Sequence, residues 1–178
     1  MFMLKKAQIR FSLALLLLAA SQLANAQESP GLGIPATAEQ IAGWDISISP
    51  EGENLPAGSG SVEQGSSVYM THCIACHGAE GEGTTNDRLV GGHDSLASGS
   101  AVKTVGSYWP YATTLFDYIR RAMPYQLPGS LNNDEVYALT AFLLYLNEIV
   151  DEDAVMNASS LPQVEMPNRD NFVWEWTE

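Results

Sequence analysis

The sequence is poor in cysteine and in positive charge, and each shortage excludes a class of protein. Its 178 residues include only two cysteines, Cys73 and Cys76, too few for the disulfide framework of a small secreted domain. Eight basic residues stand against 21 acidic ones, which gives a formal net charge of −13. Because nucleic acids and anionic membrane surfaces attract positively charged proteins, neither is expected as a direct partner. Apolar residues still make up 46% of the chain, enough for one packed domain.

The chain also lacks an apolar run that would comfortably span a bilayer, which takes about 20 helical residues. A shorter run at residues 11–20, broken only by Ser12, follows a basic start and precedes the small residues Ala24-Asn25-Ala26. This order is typical of a secretory signal peptide, so residues 1–26 are predicted to be removed on export to the periplasm. The alternative is an uncleaved anchor. Cleavage would leave 152 residues with five bases and 21 acids, a net charge of −16, and no membrane insertion of the mature chain.

Helical patterns lie in the middle of the mature chain, between two ends rich in polar residues, glycine and proline. Residues 27–57 carry five acids and no base, and they are predicted to form an extended arm with at most a short helix at 36–42. Residues 58–150 are predicted to form an all-α domain. Residues 151–178 are predicted to form a second arm. Its late aromatic residues, Phe172, Trp174 and Trp176, suit an anchor on another subunit.

Apolar spacing and capping signals predict three helices in the domain, at residues 61–76, 112–122 and 133–150. The first begins with the capping-box pattern that Ser61 and Gln64 form. Gly65 within it either lets another helix cross closely or is merely tolerated. Pro124 ends the second helix, because the residue before a proline is disfavoured in helical geometry. Asn132 is the predicted N-cap of the third.

The two cysteines and the next histidine form the pattern Cys73-Ile74-Ala75-Cys76-His77, which is typical of c-type haem attachment. Thiols separated by two residues on a helical turn can reach the two vinyl groups at one porphyrin edge, and His77 can then ligate the iron. Two other interpretations fit less well. A thioredoxin-like motif requires a preceding strand in a βαβ unit, and a zinc site completed by His72 or His93 would be irregular. Covalent haem is therefore the predicted cofactor.

A second axial ligand for the iron has six candidates: His72, His93, Met70, Met123, Met156 and Met166. Methionine usually fills a core, so a structural role is the default for each. Met123 differs because it follows a helix and lies 46 residues beyond His77, far enough for the chain to return on the other face of a haem. His93 would give a bis-histidine iron. Met123 is the predicted ligand opposite His77.

These motifs, in this order, resemble those of the class I c-type cytochromes. The resemblance covers about residues 58–150 and includes the helix with Gly65 and Tyr69, the CIACHG motif, a glycine-rich loop, YIRRAMP at 118–124, and Phe142 in the last helix. It implies a small all-α fold around one haem, in which the first and last helices cross at Gly65 and Phe142. One departure concerns the proline whose carbonyl usually orients the proximal histidine, because residues 86–89 contain none.

Four further residues are candidates to hydrogen-bond the haem propionates: Trp109, Tyr111, Arg120 and Arg121. Core packing is the alternative for the two aromatic residues. A solvated helix face is the alternative for the two arginines.

Segments outside the haem motifs are similar to a narrower group, the cytochrome subunits of molybdenum-containing sulfite or sulfane dehydrogenases. They are residues 44–45, 55–60, 108–111 and 161–169. This resemblance implies an exported monohaem electron carrier that is not itself an enzyme. It would take single electrons from the molybdenum subunit and pass them to a downstream cytochrome or oxidase. A freely diffusing periplasmic carrier, and a haem sensor or enzyme with a labile sixth ligand, remain alternatives.

Overall fold

The computed structural model describes residues 32–172, which fall into two units, 32–45 and 46–172. The predicted signal peptide at 1–26 and the aromatic residues Trp174 and Trp176 lie outside the described residues. Across positions 32–172, no helix is long and apolar enough to cross a membrane.

The described chain is mostly helical, in agreement with the predicted fold class. In order, its elements are α1 (Ala38–Trp44), β1 (Ser59–Ser61), α2 (Val62–His72), α3 (Ile74–His77), α4 (Ala112–Ala122), α5 (Asn133–Leu146) and β2 (Val155–Asn157). Two 3-10 turns follow, at Leu161–Gln163 and Arg169–Asn171. A feature that was not predicted is the antiparallel pairing of β1 with β2, which sets Gly60 opposite Met156. This pairing ties the chain before the first domain helix to the chain after the last.

Local capping determines where the long helices begin. The Ser61 side chain accepts a hydrogen bond from the Gln64 N–H at 3.2 Å, and the Gln64 side chain accepts one from the Ser61 N–H. Asn132 and Glu135 form the same reciprocal pair at the start of α5. Each pair satisfies two of the N–H groups that a helix start leaves without partners. The predicted starts of both helices are confirmed.

Two predicted helix ends were wrong. The first helix does not continue to Cys76 but divides at Cys73, whose φ of −120° and ψ of −34° depart from α-helical values, and a four-residue helix follows. The last helix ends at Leu146 rather than Val150. There the buried Asn147 amide donates to the Leu143 carbonyl at 2.8 Å and to the Leu89 carbonyl at 3.2 Å. This side chain closes the helix end and fastens it to a distant loop.

α2 crosses α5 at Gly65, as the resemblance implied. A Cβ atom on Gly65 would overlap the carbonyl of Ala138 and would lie 2.7 Å from the Cβ atom of Phe142. Only a residue without a side chain permits this approach. One turn further along, the rings of Tyr69 and Phe142 pack with their centroids 5.3 Å apart. The crossing holds the segment with the two cysteines against the last helix.

The described parts of both predicted arms that belong to the 46–172 unit contribute to its core. Ile48 lies in that core with Met156, Leu161 and Met166, which follow the last helix. A hydrogen bond also holds the first arm to the last helix: the Tyr137 hydroxyl donates to the Pro56 carbonyl at 2.8 Å. The core of this unit therefore extends beyond the predicted haem domain at residues 58–150.

Candidate haem site

A cavity of about 510 Å³ lies beside the cysteine motif and receives residues from α2, α3, α4, α5 and the loop between α3 and α4. The four residues predicted to bind haem, Cys73, Cys76, His77 and Met123, all line it. They come from two segments far apart in sequence, and the fold brings them to one place. Its volume lies within the ordinary range for a small-molecule or cofactor site.

Most of the remaining wall is apolar. It includes Leu89, Leu115, Ile119, Leu139, Leu143 and Trp109. Val68 on α2, by contrast, packs against the core without lining the cavity. An apolar wall with a few polar groups suits a flat organic cofactor, and it provides the low-dielectric surroundings that a buried haem requires.

Cys73 lies at the junction between α2 and α3 and Cys76 lies within α3, and both are free and partly buried. Burial raises the pKa of the Cys73 thiol to about 11, and the neighbouring Cys76 adds to the effect. Cysteines of disulfide oxidoreductases have a lowered pKa, which keeps a reactive thiolate at neutral pH. Cys73 has the opposite tendency, which argues against the thioredoxin-like interpretation.

A backbone carbonyl orients the His77 ring. Nδ1 lies 2.8 Å from the carbonyl oxygen of Asp87, and because a carbonyl only accepts, Nδ1 carries the proton and donates. The lone pair therefore resides on Nε2, the nitrogen that can ligate a metal. The loop is held close by the Gly83 N–H, which donates to the His77 carbonyl at 2.8 Å. The Asp87 carbonyl thus orients His77 in place of the carbonyl of the missing proline. Any residue at this position could do so, because every residue has a backbone carbonyl.

Met123 caps the end of α4, where its N–H donates to the Ile119 carbonyl at 3.0 Å and its half-buried side chain faces the cavity. Most other candidates for the sixth ligand lie elsewhere. Met70 is 54% exposed, and Met156 and Met166 are buried in the core away from the cavity. His93 lines a different cavity.

His72 does line the cavity, but it directly precedes Cys73. Its place in the chain beside the attachment motif leaves Met123 as the candidate for the opposite face. Ligation of the iron by Met123 stays a prediction.

The residues that were candidates to hydrogen-bond the haem propionates do not lie together in the structure. Trp109 lines the cavity, whereas Tyr111 lines another one beside Arg169. Arg121 forms an ion pair with Asp117 one turn earlier on α4.

The cations at the cavity are instead Arg88 and Lys103, which sequence reasoning missed. Arg88 lies in the loop that also supplies the Asp87 carbonyl. The backbone N–H of Val105, two residues beyond Lys103, donates to the Leu89 carbonyl. This hydrogen bond joins two parts of the loop between α3 and α4. Neither position belongs to a sequence motif. A hydrogen bond between backbone groups 16 residues apart brings both parts of the loop to the site.

Comparison with known proteins identifies the family. Residues 62–147 match a family model described as Cytochrome c. In the crystal structure of the sulfane dehydrogenase SoxCD from Paracoccus pantotrophus, one chain is 42% identical to this one, with a TM-score of 0.77. The match covers 82% of this chain and 72% of that chain. This chain belongs to the class I c-type cytochromes.

Membership confirms the predicted fold class and the predicted resemblance to the sulfur dehydrogenase group. A c-type cytochrome carries covalently bound haem and transfers electrons, so this cytochrome is an electron carrier rather than a catalyst. The residues around the cavity fit such a haem: two free thiols in the attachment spacing, an imidazole with its Nε2 lone pair available, a thioether, and an apolar wall.

Proposed function

We propose that this cytochrome is exported to the periplasm and carries one haem, attached through Cys73 and Cys76 with His77 and Met123 as axial ligands. We further propose that it accepts single electrons as a subunit of a molybdenum-containing sulfite or sulfane dehydrogenase. The observation that supports this most is the shared cavity of two thiols, an oriented imidazole and a thioether. Haem bound there supplies a one-electron couple at its iron.

The residues of the chain explain why electron transfer is favoured over catalysis. The Asp87 carbonyl holds the His77 ring with Nε2 free, and Met123 offers a sulfur ligand from α4. A haem held by both side chains would have no iron position left for a substrate. A thioether in place of a second imidazole also stabilises ferrous iron and raises the reduction potential. These features suit a carrier that accepts electrons from a moderately reducing donor.

The partner part of the proposal is supported by similarity and charge. The neighbour at 42% identity is a chain from a sulfane dehydrogenase structure. The predicted mature chain would have five bases against 21 acids, and this excess of negative charge steers association toward a basic surface. A downstream cytochrome or oxidase would take the electrons.

Co-purification tests this function. The cytochrome would be co-expressed with the molybdenum-containing dehydrogenase subunit of the same organism, and the product analysed by size exclusion and visible spectroscopy. We expect one complex that contains both chains, with a haem band that becomes reduced on addition of sulfite or a sulfane substrate. A cytochrome that elutes alone and stays oxidised would favour the freely diffusing carrier.

The two cations at the cavity lead to a prediction about the reduction potential. Removing a positive charge stabilises ferric iron relative to ferrous iron, so Arg88→Gln should lower the midpoint potential. Arg88 is the better position to change, because the Lys103 ammonium lies over the Tyr108 ring, 4.9 Å from its centre. For a charge about 10 Å from an iron, at an effective dielectric constant of about 20 to 80, the change is about 20–70 mV. Spectroelectrochemical titration at low salt measures it. Arg169→Gln is the matched control, because Arg169 lies over the Tyr111 ring and lines another cavity. Equal shifts in both variants would contradict the assignment of Arg88 to the haem site.

A further inference from the structure

Residues 32–45 form a unit of their own that contains the capped helix α1. The Thr37 side chain accepts from the Gln40 N–H at 3.2 Å, and the Gln40 side chain accepts from the Thr37 N–H at 2.9 Å. Ala36 and Ile41 occupy the two positions of a hydrophobic staple, and both line one open cleft. Local signals therefore favour a helix that starts at this place.

The apolar side chains of this unit are nevertheless exposed. Ile34 is 90% exposed, Trp44 is 89% exposed and Ile41 is 53% exposed, and all three line the same cleft. No residue of α1 is buried. Large apolar groups gathered on one exposed surface mark an interaction site more often than a solvated one.

Helix energetics point the same way. An isolated helix shorter than about 12 residues is marginal in water, and α1 has 7. An N-cap contributes roughly 1 kcal/mol, whereas ordering each backbone residue costs about 1–2 kcal/mol. Burial of a large apolar side chain contributes about 1.5–3 kcal/mol, so burial of all three would offset much of this cost. Covering this surface would therefore stabilise α1.

Charge selects the partner that covers it. The predicted arm at 27–57 has five acids and no base, and Glu39 and Asp45 flank the apolar residues. A second copy of this acidic chain would repel the segment, and so would an anionic membrane surface. A protein surface with an apolar groove and a basic rim fits both the apolar and the acidic residues.

We infer that residues 34–45 contain a docking helix, α1, and that this segment binds such a groove on the dehydrogenase subunit through Ile34, Ile41 and Trp44. This inference rests on the proposed function, since it names the segment through which the cytochrome joins that subunit. The helix-in-groove mode is a common way in which a short segment recognises a partner. Trp44 is the expected centre of the contact, because tryptophan is enriched among residues that dominate binding.

The test measures the affinity of the purified holocytochrome for the dehydrogenase subunit. Ile41→Ala and Trp44→Ala should each weaken binding at least tenfold. The matched control is Leu32→Ala, because Leu32 is 86% exposed in the same unit but does not line the cleft. It should change affinity by less than about threefold. The visible spectrum and thermal unfolding should stay unchanged in all three variants, since the haem cavity belongs to the 46–172 unit.

The possible outcomes separate this inference from the proposed function. If the wild-type cytochrome fails to bind the subunit, the proposed function fails. If the wild type and all variants bind equally, only the docking helix is overturned. A loss for Leu32→Ala as large as that for Trp44→Ala also overturns the assignment, because the cleft residues would then have no special role.

Discussion

Replacement of Met123 with alanine is expected to open one axial position of the haem iron. Met123 contributes the only methionine sulfur that the described residues place on the cavity wall, and alanine offers no ligand. The reduced variant should bind carbon monoxide readily, whereas the wild type, with the proposed His77 and Met123 ligands, should resist it. The midpoint potential should fall by on the order of 0.1 V, because axial ligands set haem potentials over a range of about 0.8 V.

Visible spectra of the oxidised and reduced protein, with and without carbon monoxide, provide the measurement. Met70→Ala is the control, because Met70 is exposed on α2 and does not line the cavity. It should leave the spectrum and the potential unchanged. An unaltered spectrum in Met123→Ala would show that another group, such as His72, ligates the iron. The proposed axial pair would then be wrong, although the covalent attachment would stand.

Replacement of Gly65 with alanine should be among the most destabilising single changes in the chain. In a free helix this substitution would stabilise by roughly 1 kcal/mol. Here the added methyl group would overlap the Ala138 carbonyl, which is backbone and has no rotamer to change. Opening the crossing would also disturb the packing of Tyr69 on Phe142. We expect a net loss of about 2–4 kcal/mol in the free energy of unfolding, and a drop in Tm of roughly 4–16 °C.

Denaturant and thermal unfolding of the haem-loaded protein measure this loss. Gly99→Ala is the matched control, because a Cβ atom at Gly99 meets nothing within 4 Å and its backbone is not left-handed. That variant should remain within about 0.5 kcal/mol of the wild type. Stability of Gly65→Ala equal to that of the control would contradict the close helix crossing.

Helix starts were predictable from the sequence because the signals that produce them are local. Ser61 and Asn132 each pair with a residue three positions later, so a short window contains the whole interaction. The end of the last helix was missed because its cause is distant. Asn147 binds the Leu89 carbonyl and the Gly91 N–H, which come from the loop after the cysteine motif. A pattern of apolar spacing alone continues past that point.

The cavity shows the same division between near and distant causes. Cys73, Cys76 and His77 are adjacent, so their spacing alone predicts their chemistry. Arg88 and Lys103 were missed because a charged residue in a loop has no characteristic sequence pattern. Hydrogen bonding between two parts of the same loop brings both residues to the cavity wall. Tyr111 was one candidate to hydrogen-bond a haem propionate, with core packing as the alternative. It lines another cavity together with Arg169, because neighbours in sequence diverge in space before α4.

By itself, the amino-acid sequence determined the attachment motif, the helix caps, the glycine at the crossing and the acidic charge, since each depends on residue type or on neighbours a few positions away. Tertiary structure alone decided which carbonyl holds His77, where the last helix stops, which cations face the cavity and how β1 pairs with β2. Those features join residues that are 10 to about 100 positions apart. Backbone groups make many of these long-range contacts. Because almost every residue has the same backbone carbonyl and N–H, no residue type in the sequence indicates where such a contact forms.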